Sequence, residues 1–395
     1  MRWHSGHLLV LLLPLAAVPA TAAPFTPKAD SEVVERLPAA LDPATRNVDS
    51  LRRQLLALPN DNVLRLEIAR RYFDLAMAQG DPRYVGYALA TINPLGQAAI
   101  GDWRYWLVRG QLQQYSHDFD GALASLDKAS ELQPEAVDPI AWRAAIDMVQ
   151  GRYPDAENEC RKLTPIAPIL FARGCGAYVQ AAGGQLLPAY EGLRSVLAGE
   201  VDAAPGLVLW VQTRLAEMAM RLQRWDDAEE HFRAALRQGI TDQFLLGAYA
   251  DFLLLRGRPA EVLKLLDGWE RSDILLLRLA LAGKATKDAR AAAWAQQLAD
   301  RFSDAARRGD RLHEQEAARF ALDVERNPGK ALALAASNYT KQKEARDAEI
   351  LLRTALAAKQ PMAAEPALDW LRASHYEDPG LAKLAGELAA AGATR

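Results

Sequence analysis

Residues 121–134, GALASLDKASELQP, decide the fold, because small residues at Ala122 and Ala129 precede a proline at Pro134. The two alanines lie seven positions apart and so share one face of a helix, where they allow a neighbouring helix to approach closely. Proline lacks the amide hydrogen that would continue the helix, so the helix ends there. The segment is therefore predicted to be the second helix of a closely packed pair.

The same pattern recurs along the chain with a period of about 34 residues. From Ala122, one such step leads back to Ala88 and another leads forward to Ala156, and the same interval separates Ala228 from Val262. Two short antiparallel helices expose an apolar face that only the next pair can bury. A helix pair repeated at this period predicts a solenoid.

One interruption of the period is informative. A further step from Ala156 reaches Tyr190, which is too bulky for a close helix crossing, and the next step falls at position 224, four positions short of Ala228. We assign the excess of four residues to the segment 198–206. Residues 171–208 are therefore predicted to form a degenerate repeat whose helices cross at a wider spacing.

The pattern resembles the tetratricopeptide repeat, whose first helix carries tryptophan, leucine, glycine and tyrosine at fixed positions. Trp106 and Gly110 occupy the tryptophan and glycine positions, while Arg109 and Gln113 replace the leucine and the tyrosine. The resemblance implies an all-α, right-handed superhelical solenoid. We count about eight antiparallel helix pairs, followed by a C-terminal capping helix. The stretch 313–356 is similar to exported bacterial tetratricopeptide proteins of uncharacterised role.

The N-terminus has the layout of an export signal. Arg2 precedes an apolar run from Leu8 to Val18 that is too short to span a bilayer, and Ala20 and Ala22 form a small-residue cleavage site. We therefore expect an exported protein without a stable membrane span, periplasmic if the organism has two membranes. The predicted organisation is a signal peptide over 1–22, a flexible leader over 23–45 and the solenoid over 46–395.

The composition is that of a soluble globular protein. Half of the 395 residues are hydrophobic, a quarter are charged and the formal net charge is -3. These values argue against a disordered chain and against nucleic acid as a partner, since nucleic-acid binders are more basic. Two cysteines exclude a disulfide-dense scaffold and a four-cysteine zinc site.

No pattern of residues indicates catalysis. We expect His117, His231 and His313 to be solvated, in a loop, on an exposed helix and at a helix start. No histidine has the spacing of a zinc site, and the chain lacks the phosphate-binding and nucleophile motifs. The acidic pair Asp118 and Asp120 is expected to cap a helix. The sequence predicts no enzyme, no cofactor and no metal site.

Cys160 and Cys175 fall on the second helix of one pair and the first helix of the next. Packing of adjacent helices brings them near each other, so in an oxidising compartment they could form a disulfide. The alternative is a pair of buried thiols that act as small apolar groups.

In the tetratricopeptide family the first helices of the pairs line a concave groove that binds peptide segments. By analogy, the groove positions of this chain fall at Arg104, Gln111, Gln114, Trp210, Thr213, Glu217, Phe244 and Asp251. These side chains mix apolar and polar groups, which favours a protein or peptide bound by shape and apolar contact. The alternative is that the apolar members are ordinary packing residues.

The leading hypothesis is a non-catalytic exported scaffold that binds a protein or peptide partner of unknown identity. One alternative is a hydrolase of envelope polymers that uses Glu217 and Asp251 as paired carboxylates. A second alternative is a structural solenoid that self-associates through its ends into a homo-oligomer.

Overall fold

The computed structural model describes residues 43–393. Within that range the chain forms 20 α-helices and two 3-10 segments, and no strand occurs among the residues described. The predicted signal peptide and residues 23–42 of the predicted leader lie outside the described residues. The first helix begins at Pro43, so the last three residues assigned to the leader are helical.

The first ten helices are α1 Pro43–Ala57, α2 Asn62–Gln79, α3 Arg83–Ile92, α4 Trp103–Tyr115, α5 Phe119–Leu132, α6 Val137–Val149, α7 Tyr153–Leu163, α8 Ile169–Ala182, α9 Leu186–Gly199 and α10 Pro205–Arg221. The second ten are α11 Trp225–Leu236, α12 Gln243–Leu255, α13 Pro259–Leu265, α14 Asp273–Thr286, α15 Ala291–Arg307, α16 Glu314–Asp323, α17 Pro328–Tyr339, α18 Ala345–Ala357, α19 Glu365–Ser374 and α20 Pro379–Ala393. The 3-10 segments are Asn93–Ala99 and Pro361–Ala364.

The helices from α2 to α19 pack as nine successive antiparallel pairs, each made of a helix A and the helix B that follows it. Pair 1 is α2 with α3, and pair 9 is α18 with α19. Helix α1 packs on α2 before the first pair, and α20 packs on α18 after the last. The predicted all-α solenoid is confirmed, with nine pairs where the sequence indicated about eight.

The repeat period marks the helix crossings. The residues at this period are all completely buried: Ala88, Ala122, Ala156, Ala228 and Val262. In pair 2 the crossing is so close that a side chain on Gly110 would come within 2.8 Å of Leu126. Close approach of the two main chains is what requires small residues at these positions.

The turns between helix A and helix B, called A–B turns below, share one conformation. Each of the nine contains a residue with a left-handed main chain, and only four of these residues are glycine. The nine residues are Gly80, His117, Gly151, Gly184, Gln223, Gly257, Lys287, Arg326 and Lys359. A left-handed residue ends one helix and turns the chain back to start the next.

The predicted degenerate repeat is pair 4, α8 with α9. The additional residues do not lie in the loop 200–204, which has five residues like the loop 164–168. They lengthen the helices, since α9 and α10 have 14 and 17 residues against 11 and 14 in α7 and α8. Tyr190 is completely buried in this pair, and its hydroxyl lies 3.1 Å from Nε2 of His231 in the next pair. Buried Ala189 is the fourth residue of α9, as Ala156 is of α7, so this crossing also has a small residue and the Tyr190 ring packs beside it with its polar end satisfied.

The solenoid winds tightly enough for its second turn to lie on its first. The main-chain amide of Lys343, just before pair 9, donates to the oxygen of Val149 in pair 3 at 2.7 Å. Trp370 donates to the hydroxyl of Tyr153 at 2.9 Å, across 217 residues of sequence. Pair 3 therefore meets pair 9, so about six pairs make one turn and the nine pairs make about one and a half.

The remaining contacts between the two turns follow the same order. Gln243 at the start of pair 6 bonds to Met77 at the end of α2 in pair 1. Before α20, Glu377 accepts a hydrogen bond from the amide of Leu186 in pair 4, and its main-chain oxygen accepts one from Arg221. We call this edge-to-edge contact the seam. It joins the A–B turns of pairs 1 to 4 to the segments that precede pairs 6 to 9 and α20.

Candidate functional site

The A helices line the inner face of the solenoid, as ion pairs between non-adjacent pairs demonstrate. Asp251 of α12 accepts hydrogen bonds from Arg278 of α14 at 2.6 Å and from Arg319 of α16 at 2.8 Å. Helices α12 and α16 belong to pairs 6 and 8, and such residues can meet only across the concave side. Burial alone would raise the pKa of Asp251, but the two guanidinium groups outweigh it and hold the pKa below its usual range.

A second charged group lies on α10 beside α8. Arg214 donates to Glu217 at 2.7 Å, and its guanidinium carbon lies 4.6 Å from the centre of the Tyr178 ring. The Glu217 side chain remains 37% exposed in this pair. The inner face therefore presents a charged and accessible carboxylate beside an arginine that is held in place by an aromatic ring.

The N-terminus of α18 brings further charge to the same region. Glu344 accepts a hydrogen bond from Arg346 at 2.7 Å. Burial opposes the charge of Glu344, but Arg346 and Arg214 outweigh it and lower its pKa. Burial and then the Glu344 carboxylate raise the pKa of Asp347, which lies in the first turn of α18, to about 7. Opposite charges from α10 and α18 thus stabilise one another across the inner face.

Comparison with solved structures identifies the architecture. The chain aligns with a chain of the crystal structure of the APC/C hetero-tetramer Cut9-Hcn1 at a TM-score of 0.52 and 11% identity. The protein has the tetratricopeptide-repeat fold. The alignment covers 87% of this chain and 66% of that one, so the chain spans about two thirds of the neighbour's length.

Other similarities are weaker. The chain is 19% identical to PilW, described as a type IV pilus biogenesis factor, over 60% of this chain and 94% of that one, at a TM-score of 0.35. It is 12% identical to yeast Tom70 over 89% of this chain and 85% of that one, also at a TM-score of 0.35. No family model and no curated protein sequence matches the chain. The comparisons therefore establish the tetratricopeptide fold and nothing about function.

Within this tetratricopeptide solenoid the eight predicted groove residues take different positions. Gln111 and Thr213 are buried, and the Thr213 hydroxyl donates to the oxygen of Leu209 in its own helix. Trp210 packs between α8 and α10, with its ring against Phe171. Neither Gln111 nor Thr213 can reach a partner without movement of the helices, and the Trp210 ring serves packing between two repeats.

The remaining predicted residues are more accessible. Arg104 forms a local ion pair with Asp102, which caps its own helix. Phe244 and Gln114 are half-buried. Glu217 and Asp251 both lie on the inner face, and each is bound to arginine rather than to the other.

Sequence reasoning missed the arginines of the inner face. On α10 the side chains that reach across are Arg214, Glu217 and Arg221, spaced three and four residues apart as on one helix face. Of the predicted groove positions on this helix, Thr213 is buried, whereas Glu217 lies on the inner face together with Arg214, which was not predicted. The opposite charges of Arg214 and Glu217, three positions apart on one helix, are the feature of the sequence that indicates this face.

All three histidines differ from their prediction, because each of them is half-buried. We expected His231 to be solvated on an exposed helix, but it is half-buried and lies 2.6 Å from the side-chain oxygen of Gln212 and 3.1 Å from Tyr190. The helices of pair 4 and pair 5 enclose it, and this burial lowers its pKa. His117, in an A–B turn, stacks on the ring of Phe119, and burial lowers its pKa to about 4. His313 lies immediately before α16, with its Nδ1 3.9 Å from the Glu316 carboxylate.

The two cysteines form a disulfide in the structure. Cys160 of α7 and Cys175 of α8 have Cα atoms 5.5 Å apart, and the bridge joins pair 3 to pair 4. Among residues 43–393, no three metal-binding side chains are grouped in a way that could hold an ion. No described helix combines the length and the apolar character that crossing a membrane requires.

Proposed function

We propose that the protein is a non-catalytic scaffold that binds a segment of a partner protein along the inner face of its tetratricopeptide solenoid. The observation that carries the proposal is the composition of that face. Side chains of both signs, Glu217 at 37% and Arg346 at 47% exposure, reach it from different repeats of one continuous solenoid. Such a surface can recognise an extended chain along its length.

The chemistry of this face favours a polar partner over the apolar one expected from the sequence. Trp210 and Phe244 are half-buried, whereas charged side chains remain accessible. A partner segment with charged groups of both signs would fit this surface best.

The hydrolase alternative gains no support. A glycosidase needs a general acid whose pKa is raised, but two arginines hold Asp251 ionised. Glu217 is likewise bound to Arg214. A pair of carboxylates that are each neutralised by arginine is better suited to holding the solenoid together than to proton transfer.

We also propose that the protein is exported, as the layout of segment 1–22 indicates. The disulfide between Cys160 and Cys175 supports this proposal, because such bonds persist mainly in oxidising compartments. N-terminal sequencing of the protein from its native cell tests it. A mature chain that begins at Ala23 is expected, and a chain that retains its first residues and stays in the cytoplasm would contradict the proposal.

Photo-cross-linking in the native cell tests the scaffold function. A light-activated residue is placed at Glu217 on the inner face, and in a matched control at Arg233, a 58% exposed position on α11. One dominant protein adduct from position 217 and none from position 233 is expected. Equal capture at both positions, or adducts to glycan alone, would contradict a protein-binding inner face.

A further inference from the structure

The seam leaves one free edge at each end of the solenoid, because the nine pairs make about one and a half turns. Among residues 43–393, the loops that precede the A helices of pairs 1 to 5, at the N-terminal end, have no turn of the chain below them. At the C-terminal end, the A–B turns of pairs 6 to 9 have none above them. Within the seam, A–B turns bind the segments that precede A helices. One free edge consists of such turns and the other of such segments, so the two edges are of the kinds that bind each other in the seam.

The N-terminal edge is acidic. Its five loops contain five acidic residues and no lysine or arginine, and we call it the acidic edge. The loops are 58–61, 100–102, 133–136, 164–168 and 200–204. The acidic residues are Asp61, Asp102, Glu135, Glu200 and Asp202. Asp102 already forms an ion pair with Arg104, and Arg65 donates to the oxygen of Pro59 in the first loop.

The C-terminal edge has the opposite charge. Its four turns contain six basic and two acidic residues, and we call it the basic edge. The turns are 256–258, 287–290, 324–327 and 358–360. The basic residues are Arg256, Arg258, Lys287, Arg290, Arg326 and Lys359. Arg258 and Arg290 already form ion pairs within the chain.

Both edges also expose apolar side chains. On the acidic edge Val201 is 91% and Leu58 is 57% exposed, and Ile100 is exposed as well. At the basic edge Leu255 is 63% exposed, and Met362 lies exposed just after the last turn. Exposed apolar groups surrounded by charge are typical of surfaces that meet another protein.

We propose that these edges bind each other between molecules, so that a second copy of this chain continues the solenoid head to tail. Helix α20 of the first copy and α1 of the second complete a tenth pair between pair 9 and pair 1 of the second copy. In the seam a segment lies above the turn six pairs earlier, so pair 3 of the second copy is set above pair 7 of the first. Glu135 of the second copy then faces the turn of Lys287 and Arg290, and Asp202 faces the turn of Lys359. The contact is heterologous, so it leaves a free edge at each end and builds open chains of copies.

The opposite charges of the edges also exclude the other arrangement. A symmetric dimer would bring an acidic edge against an acidic edge or a basic edge against a basic edge, and like charges in contact repel. Attraction between exposed charges weakens as salt shortens the range of the interaction. Head-to-tail association should therefore increase with protein concentration and decrease with added salt.

Charge reversal on each edge gives a decisive test by light scattering on the full chain. The first variant carries Glu135→Lys, Glu200→Lys and Asp202→Lys, which change the net charge of its acidic edge from -5 to +1. The second carries Arg256→Glu, Lys287→Glu and Arg326→Glu, which change the net charge of its basic edge from +4 to -2. In the described chain none of these six side chains takes part in an ion pair or a side-chain hydrogen bond, although Arg256 lies over the ring of Trp225. Thermal unfolding of each variant checks that it remains folded.

The expected result has three parts. At low salt the unmodified chain exceeds its one-chain mass of 43.3 kDa, or the mass left after signal cleavage, as its concentration rises. Each variant alone keeps the mass of one chain, and an equimolar mixture of the two associates again, because a basic edge then meets an acidic one.

Three results would overturn the proposal. These are a chain that stays monomeric at every concentration, a variant that associates as the unmodified chain does, and a mixture that stays monomeric although the unmodified chain associates. A monomeric protein that still forms an adduct to another protein from position 217 would leave the scaffold function intact. The two proposals can therefore fail separately.

Discussion

The side-chain amide of Gln243 donates a hydrogen bond to the main-chain oxygen of Met77 at 3.1 Å, although 166 residues separate them. The hydroxyl of Ser272 donates to the Gln243 side-chain oxygen at 3.0 Å. This contact holds the start of pair 6 against the end of α2. It depends on Gly80, because the main chain at this glycine lies directly against Gln243 and Ser272.

Gly80→Ala is expected to open this part of the seam. Gly80 has a φ of +66°, and an added methyl group would overlap the Gln243 amide and lie 2.8 Å from the Ser272 hydroxyl. The matched control is Gly257→Ala, which has a φ of +70° but no neighbour within 4 Å. Strain at positive φ costs both variants about 1–2 kcal/mol. Overpacking should destabilise Gly80→Ala by about 1–3 kcal/mol more in denaturant unfolding.

Equal losses for the two alanine variants would show that the seam contributes nothing at this point. In that case the left-handed main chain alone would account for the cost of both substitutions. The second turn of the solenoid would then be held by the contacts of Trp370 and Glu377 instead.

The crossing of pair 2 makes a second comparison possible. Gly110→Ala puts a methyl group 2.8 Å from Leu126 and 3.2 Å from the oxygen of Ala122, so the two helices must separate. We expect a loss of about 1–3 kcal/mol in the free energy of unfolding. Gly86→Ala lies in a helix with no neighbour within 4 Å, and should stabilise the protein by up to about 1 kcal/mol. A loss in both variants would contradict the role of close crossing.

Most of the fold is readable from the sequence, because its cause is local. The repeat units carry their own turn and their own crossing residue, which is an alanine in pairs 1 to 5. Residues such as Ala122 and Ala156 therefore indicate a helix pair without reference to distant parts of the chain. The seam is different. It joins residues as far apart as Tyr153 and Trp370, and no period in the sequence relates such positions.

The inner face was predicted less well for a geometrical reason. Successive helix positions are about 100° apart, so a shift of one residue changes which side chain faces the groove. The predicted groove residue Thr213 is therefore a buried hydroxyl, and the residue that lies on the inner face and binds Glu217 is the next one, Arg214. The pairing of Asp251 with Arg319 depends on the curvature of the solenoid, which the repeat pattern does not specify.

The raised pKa of Asp347 predicts a pH effect on stability. Burial and then Glu344 raise this pKa from 3.8 to about 7, so the folded protein favours the protonated form. The stabilisation is fully present below about pH 4 and is lost as the pH rises toward 7. Asp347→Asn cannot ionise, so its unfolding free energy should fall less between pH 5 and pH 8.

The measurement is denaturant unfolding of both proteins at several pH values. Between pH 5 and pH 8 the unfolding free energy of the unmodified protein should fall by at least about 1 kcal/mol more than that of Asp347→Asn, since one pKa unit is worth about that much at 25 °C. Asn338 and the amide of Glu344 donate hydrogen bonds to Asp347, so the variant also loses some stability at every pH. Parallel pH profiles, offset by a constant amount, would show that Asp347 is ionised throughout.

Loss of the disulfide between Cys160 and Cys175 should destabilise the protein mainly through its unfolded state. The bridge spans a sequence separation of 15 residues, and closing a loop of that size contributes on the order of 3 kcal/mol in the loop-entropy model. Cys160→Ala with Cys175→Ala should therefore unfold about 3 kcal/mol more easily than the oxidised protein. The reduced unmodified chain is the matched control, because it keeps both sulfur atoms and lacks only the bond.

Reductant should lower the stability of the unmodified protein toward that of the double variant and leave the variant unchanged. The difference between the reduced chain and the variant then measures the packing of the two sulfur atoms, of which that of Cys160 is buried. Alkylation of the denatured, unreduced protein provides an independent check by mass. Two labelled cysteines in protein taken from its native compartment would show that the bridge does not form there, and would remove the support that it gives to export.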